Sequence, residues 1–242
     1  MTGVQTCALP IYRIVRALRA DYPIQEKVAV QTVVVTPAQS VEMTTGYAWS
    51  LRPVEPTMRL TLAPDSVAFE FRKYPGRRKL MTILEQLVEI TSADHDGPRA
   101  FTRLGVRNVN RFVNVSSEDL RRRLRPALLA TSTVAEGFKD VEDVETIVAV
   151  SELHVIVRRA TRIQARWGSL PANSSPVPGH LAPETTPSWF LDIDAYTDTP
   201  AEYDPTTVAA IATSVSETGY HFFRWATLDE YVTSLAEMEV PQ

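Results

Sequence analysis

The chain has 242 residues, 44% of them hydrophobic and 22% charged, with a formal net charge of −4. A chain of this length buries roughly 70–75% of its extended surface and holds a core without staples, which with this composition excludes overall disorder. No run of about 18 apolar residues occurs, so no membrane-spanning helix is expected, and a mildly acidic total argues against non-specific duplex binding as the main activity.

Residues 1 to 11, MTGVQTCALPI, carry no charge, no helical period and no alternation. They lack the basic start, long apolar stretch and cleavage site of a signal peptide, and they resemble the translated read-through of a common sequencing adapter. On that reading Cys7, the single cysteine, is foreign to the chain. Thiolate catalysis, disulfides and Cys-based zinc sites are then not expected, and the native reading frame is expected to begin upstream of Tyr12.

Tyr12 to Asp21 has Ile14, Val15 and Leu18 at helical spacing and stops before Tyr22-Pro23. Lys27 to Val35 is β-branched and predicts a strand. Gly46 to Arg52, Met58 to Leu62 and Ser66 to Arg72 alternate, with Ala63-Pro64-Asp65 as a turn between the last two, which predicts an antiparallel meander. Arg77 to Ile90 repeats Leu80, Ile83, Leu84, Leu87, Val88 and Ile90, a helix whose apolar stripe would cover one face of that meander. Ser92 to Arg99 is a polar break.

Arg103 to Val115 predicts a strand. Ser116 or Ser117 caps the helix after it, with Glu118 and Asp119 in its first turn, Arg121, Arg122, Arg123 and Arg125 near its end, and Pro126 bending or ending it. Val134 to Ser151 has no clear pattern. Leu153 to Ser169 predicts one strand of mixed pattern, residues 171 to 188, with five prolines, an exposed loop, and Trp189 to Tyr196 another strand. Asp204-Pro205 opens a helix that reaches Trp225. A last helix carries Leu228, Tyr231, Val232 and Leu235, with Thr227 as cap and Glu230 three residues on. The expected fold is α+β, a mainly antiparallel sheet with helices on one face, divided at about residue 130 into an amino-terminal half (12–130) and a carboxy-terminal half (131–242). These are two coarsely similar lobes or one continuous domain.

Two constellations stand out. On the strand Arg103 to Arg111, Arg103, Gly105, Arg107 and Arg111 share one face and Leu104, Val106 and Phe112 the other. Three guanidiniums so placed could fork onto phosphate or carboxylate, or pair with acids of a neighbouring strand. Asn110 falls on the apolar face, where it is expected to fix a bulge or turn. In Leu191-Asp192-Ile193-Asp194, the two carboxylates stand about 7 Å apart along the strand. They could hold Mg²⁺ or Mn²⁺, but Arg158, Arg162 and Arg166 share a parity in the preceding strand and offer cross-strand pairing instead. Pairing is the expectation, since a metal site wants a third protein ligand and none is signalled. His95, His154, His180 and His221 stand without zinc-ligand spacing, and no nucleophile elbow, P-loop or dinucleotide fingerprint is present. Tyr220, Phe222, Phe223 and Trp225 form an aromatic patch that reads as core or as a partner contact.

At these motifs the chain resembles a sporadically distributed, uncharacterised prokaryotic family with a strand R-x-G-L-R-Y-I-N-R and a later L-L-D-I-D followed by a helix. Arg103, Gly105, Arg107, Asn110 and Arg111 match the first motif, Leu191, Asp192, Ile193 and Asp194 the second, and Phe223, Thr227 and Tyr231 the helix. The similarity spans about residues 12 to 240, with Tyr74-Pro75-Gly76 where the family has a tyrosine and a small residue. Asn108 stands in place of an aromatic, and the family's opening strand is expected to be missing, leaving an unprotected edge. The family implies no established activity; its patchy occurrence suggests accessory, defence-linked or mobile-element roles. The sequence reading is therefore a cytoplasmic, non-enzymatic interaction or regulatory module. It has a protein partner or self-associates, needs no cofactor or metal, keeps off membranes, and has nucleic acid only as an unsupported option. The alternative is a metal-assisted hydrolase or nuclease using Asp192 and Asp194, with Arg103, Arg107 and Arg111 on phosphate.

Overall fold

The computed structural model describes residues 11–35, 41–55, 57–72, 74–92, 99–131, 148–157 and 160–238. The expectations for residues 1–10, His95, Arg158 and most of the 134–151 stretch lie outside them. The fold is α+β, with every sheet antiparallel. The chain forms two units, residues 1–101 with 201–210 and residues 102–200 with 211–242. The division therefore falls before the Arg103 strand and not near residue 130, because that strand's hydrogen-bonding partner lies some ninety residues later.

In the first unit, α1 (Ile11–Ala17) precedes a meander of β1 (Ile24–Val35), β2 (Val41–Arg52), β3 (Met58–Ala63) and β4 (Ser66–Phe71), each strand pairing with its sequence neighbour. Helix α2 (Arg77–Ser92) follows. Ile14, Val15 and Leu18 meet Leu51, Leu60, Leu62 and Leu87 in one core, and Val67, Phe69 and Ile90 pack at its margin. Ile11, grouped by sequence with the adapter-like run, opens α1 and packs at that margin as well. A two-stranded sheet of β5 (Ala100–Phe101) and β10 (Ala201–Glu202) completes the unit. Beside it, buried Thr91 of α2 shares a 2.7 Å hydrogen bond with Tyr203, whose phenol pKa burial raises.

The second unit holds β6 (Leu104–Val113), β7 (Ala149–Val157), β8 (Thr161–Leu170) and β9 (Ser188–Thr197) in the order β6-β9-β8-β7. Two separate strands, β7 and β8, replace the single strand expected over Leu153 to Ser169; they form a hairpin in which Leu153 faces Ala165. The hairpin defeats a period-2 reading of one long strand, since the chain reverses where the sequence keeps its β-branched and arginine-rich character. Gly168 is required in β8: its φ is +147°, and a Cβ there would run into the Ala149 backbone.

One face of this sheet is apolar. Phe112, Ile163, Ala165, Trp189, Leu191, Ile193 and Ala195 lie under Leu120, Leu128, Leu129, Val215 and Ala226, which come from α3 (Ser117–Arg123), α4 (Pro126–Leu129) and α5 (Pro205–Ala226). Gly219 lets α5 approach β9, since a Cβ would sit 3.3 Å from that of Ala195. Ser116 caps α3 in a reciprocal box with Asp119, and Pro126, instead of bending that helix, opens α4. Asp204 accepts from the Thr207 N–H at the start of α5. Thr227 does not cap the last helix, α6 (Asp229–Met238): its hydroxyl donates back to the Phe223 carbonyl at 2.8 Å and closes α5.

Candidate functional site

The polar face of the second sheet gathers both sequence motifs. β9 is central, so its even-numbered side chains project between those of β6 and β8. Asp194 stands opposite Arg107 and Gln164, and Asp192 opposite Val109 and Arg166. Burying a carboxylate costs several kcal/mol unless cations and hydrogen bonds surround it. Asp192, 3% exposed, has both. Arg107 reaches across diagonally with a two-pronged fork, Nε to Oδ1 at 2.7 Å and a terminal nitrogen to Oδ2 at 2.6 Å, while Arg166 donates to the same Oδ2 at 2.7 Å. That fork holds the Arg107 pKa above its ordinary value.

Asp194 is held by Arg103 at 2.8 Å. Its pKa is raised, because burial outweighs the lowering by Arg103 and Arg107. The Arg103 guanidinium also lies 4.4 Å over the Tyr196 ring. Gly105 permits this close approach of the strands, since a Cβ at that position would meet Tyr196 at 3.1 Å and Asp194 at 3.3 Å. The glycine of the first motif is thus a packing requirement.

Arg111 is directed elsewhere. It donates to Ser188 Oγ at 3.1 Å and to the carbonyls of Ala182 and Ser174 at 2.7 and 2.6 Å, and its side chain is only 10% exposed. Arg166 adds a 3.2 Å bond to the Pro176 carbonyl. The proline-rich segment read as an exposed loop is therefore tied down in part: Pro176 is buried, and Ser174 bridges to Glu184. Prolines fix that path while leaving carbonyls free to accept.

The expected cross-strand pairing is realised differently from the arginine parity in β8. Arg166 reaches Asp192, but Arg162 pairs with Asp198 at 2.7 Å, while the fork on Asp192 comes from Arg107 of β6 and the cation on Asp194 from Arg103, just before β6. Asn110 creates no bulge or turn. It stands in regular register opposite Leu191, whose carbonyl accepts from its amide at 3.5 Å. Sequence reading missed Tyr196, Asp198, Gln164 and the loop carbonyls. Tyr196 shares the parity of Asp192 and Asp194 and was legible; the carbonyls carry no side-chain signal. Among the described residues, no three His, Cys, Asp or Glu side chains gather as metal ligands would.

The aromatic patch of α5 divides. Phe222 and Phe223 pack against the core, whereas Tyr220 and Trp225 remain 51% and 45% exposed, with Trp225 5.3 Å from the Phe222 ring. Helical periodicity separates them, since residues 100° apart cannot all face inward. No helix among the described residues is long and apolar enough to cross a membrane. Comparison with protein-family models, curated proteins and solved structures returned no match to this chain.

Proposed function

We propose that this protein is a non-enzymatic, cytoplasmic interaction or regulatory module, a member of the sporadic prokaryotic family whose motifs it carries, with an accessory role in defence or mobile-element biology. Its partner is a protein that covers Tyr220 and Trp225 on α5. The observation that carries this reading is the commitment of Asp192, whose two carboxylate oxygens are taken by Arg107 and Arg166. A carboxylate so engaged supports the sheet; serving a reaction would require breaking three charge-assisted bonds. Tyr220 and Trp225 of α5 instead stay about half exposed, and aromatic side chains of this kind are enriched where protein contacts form.

The test places a photo-crosslinking amino acid at Trp225 in cells, with the same group at Ser214 as control, and titrates the purified chain with Mn²⁺ in parallel. The expected outcome is one discrete heterologous adduct at position 225, absent at 214, and no saturable heat with Mn²⁺. Saturable Mn²⁺ binding that disappears in Asp192→Asn, or equal labelling at both positions, would overturn the reading.

A further inference from the structure

The outer strand β7 is unlike the other edge of its sheet. Among the described residues its only ladder partner is β8. Edge strands in soluble proteins are usually blunted by Lys, Arg or Pro. The opposite edge, β6, follows that rule, carrying Arg107 and Arg111 with Arg103 just before it. In contrast, β7 reads AVSELHVIV, with no Lys, Arg or Pro, and it leaves Val150 46%, Val155 36% and Ile156 62% exposed. β-Branched side chains on a nine-residue strand with no second ladder partner among the described residues fit strand addition.

The sequence of β7 selects the added strand. Two copies related by a two-fold axis pair antiparallel, and only residues of equal parity then bring outward-pointing N–H groups opposite outward-pointing C=O groups. With the axis at Leu153, Val150 opposes Ile156 of the second copy, Ser151 opposes Val155, and Glu152 opposes His154. Every exposed apolar side chain of the strand gains a partner, and the carboxylate and imidazole meet twice. Moving the axis to Glu152 sets two carboxylates against each other. Moving it to His154 sets two imidazoles together and leaves Glu152 against Ile156. Cross-strand pairing rules disfavour both alternatives. In the single chain Glu152 already accepts from Gln164 at 2.6 Å and contacts His154 at 2.9 Å, so these polar groups stand aligned on the face where the second copy's would add.

We propose that the protein forms a two-fold homodimer by antiparallel pairing of β7 with β7 of a second copy, centred on Leu153 and extending the β6-β9-β8-β7 sheet to eight strands. This pairing uses a different element from the α5 contact and does not depend on it.

Sedimentation velocity of the full chain over a concentration series should show a monomer–dimer equilibrium. Ile156→Lys, a change at an exposed position, should shift it to monomer while leaving the circular dichroism spectrum unchanged. Glu152→Lys should weaken the dimer by placing Lys against His154, and Glu152→Lys/His154→Glu should restore it. In a Cys7→Ser background, Leu153→Cys should be cross-linked by oxidised glutathione into a covalent dimer, whereas Val155→Cys, four residues out of register with its own copy, should not. A chain that remains monomeric at every concentration, an Ile156→Lys variant that associates as before, or equal cross-linking at 153 and 155 would overturn the proposal. Because these measurements use only purified protein, their failure leaves the α5 reading untouched, and failure of cross-linking at Trp225 leaves this one.

Discussion

The two four-stranded sheets use the same ion-pair chemistry with different consequences. In the first, Arg59 pairs with Glu70 directly across β3 and β4, and Arg52 reaches Glu26 from β2 to β1 at 2.9 Å; in both pairs each side chain keeps roughly a third or more of its surface in water. In the second, Asp192 is sealed beneath two arginines. Strand position alone does not separate the two, since Arg52 on β2 and Arg59 on β3 also lie on interior strands. What differs is that Asp192 receives an arginine from each flanking strand, Arg107 of β6 and Arg166 of β8, and is covered by them. The exposed pairs are therefore accessories, while the buried one is a condition for folding, because removing its partners strands a charge in a low-dielectric site.

The strongest way to break this comparison is to strip Asp192 of its cations. Arg107→Met/Arg166→Met should lose about 3–5 kcal/mol in urea unfolding, since neither methionine compensates the carboxylate. A loss no larger than that at the exposed pairs would remove the distinction between the sheets. Gly168→Ala should come next. The left-handed φ and the obstructing Ala149 backbone make a cost of about 1–3 kcal/mol the expectation, read as a lowered thermal midpoint together with faster amide exchange in β7. In the first sheet, Arg59→Ala should cost only about 0.2–1 kcal/mol and lose even that in high salt. A larger, salt-independent loss would show that the meander too depends on its charges.

The pH dependence sharpens the comparison within the second unit. Asp194 has its folded pKa raised, chiefly by burial, so the native state binds that proton more tightly than the unfolded chain does. Its contribution favours folding at low pH and is lost as pH rises from the ordinary carboxylate value through the folded one. Asp119, in the capping box of α3, is held at about 2 against an ordinary 3.8, first by the Ser116 hydroxyl and then by Arg122. Its contribution is present above the ordinary value and disappears as pH falls toward 2. Asp194→Asn should therefore flatten the fall of stability on raising pH above 4, and Asp119→Asn the fall on lowering it below 4. Chemical denaturation across pH 2 to 6 checks both signs.

Much of this architecture was legible in the chain. The stripe Leu80 to Ile90, the alternation from Met58 to Phe71, the Ser116 to Asp119 cap and the opposite faces of Asp192 and Leu191 all follow from local periodicity or local hydrogen bonding, which act over a few residues and leave their pattern in the sequence. What parity could not give was the neighbour. Whether Asp192 meets Arg166, Arg162 or Arg107 depends on strand order and register, and the pairing of β6 with β9 closes a long loop that no local signal announces. The same limit explains the reading of β7 and β8 as one strand and the placement of the unit boundary near residue 130. It also explains why the carbonyls of Ser174, Pro176 and Ala182 could not be foreseen as arginine acceptors: every residue has a carbonyl, and only tertiary folding decides which of them face a cation. The sequence by itself determined the class of fold, the faces of its strands and the presence of balanced charges; the tertiary structure decided which charges were buried, and so which of them the fold cannot lose.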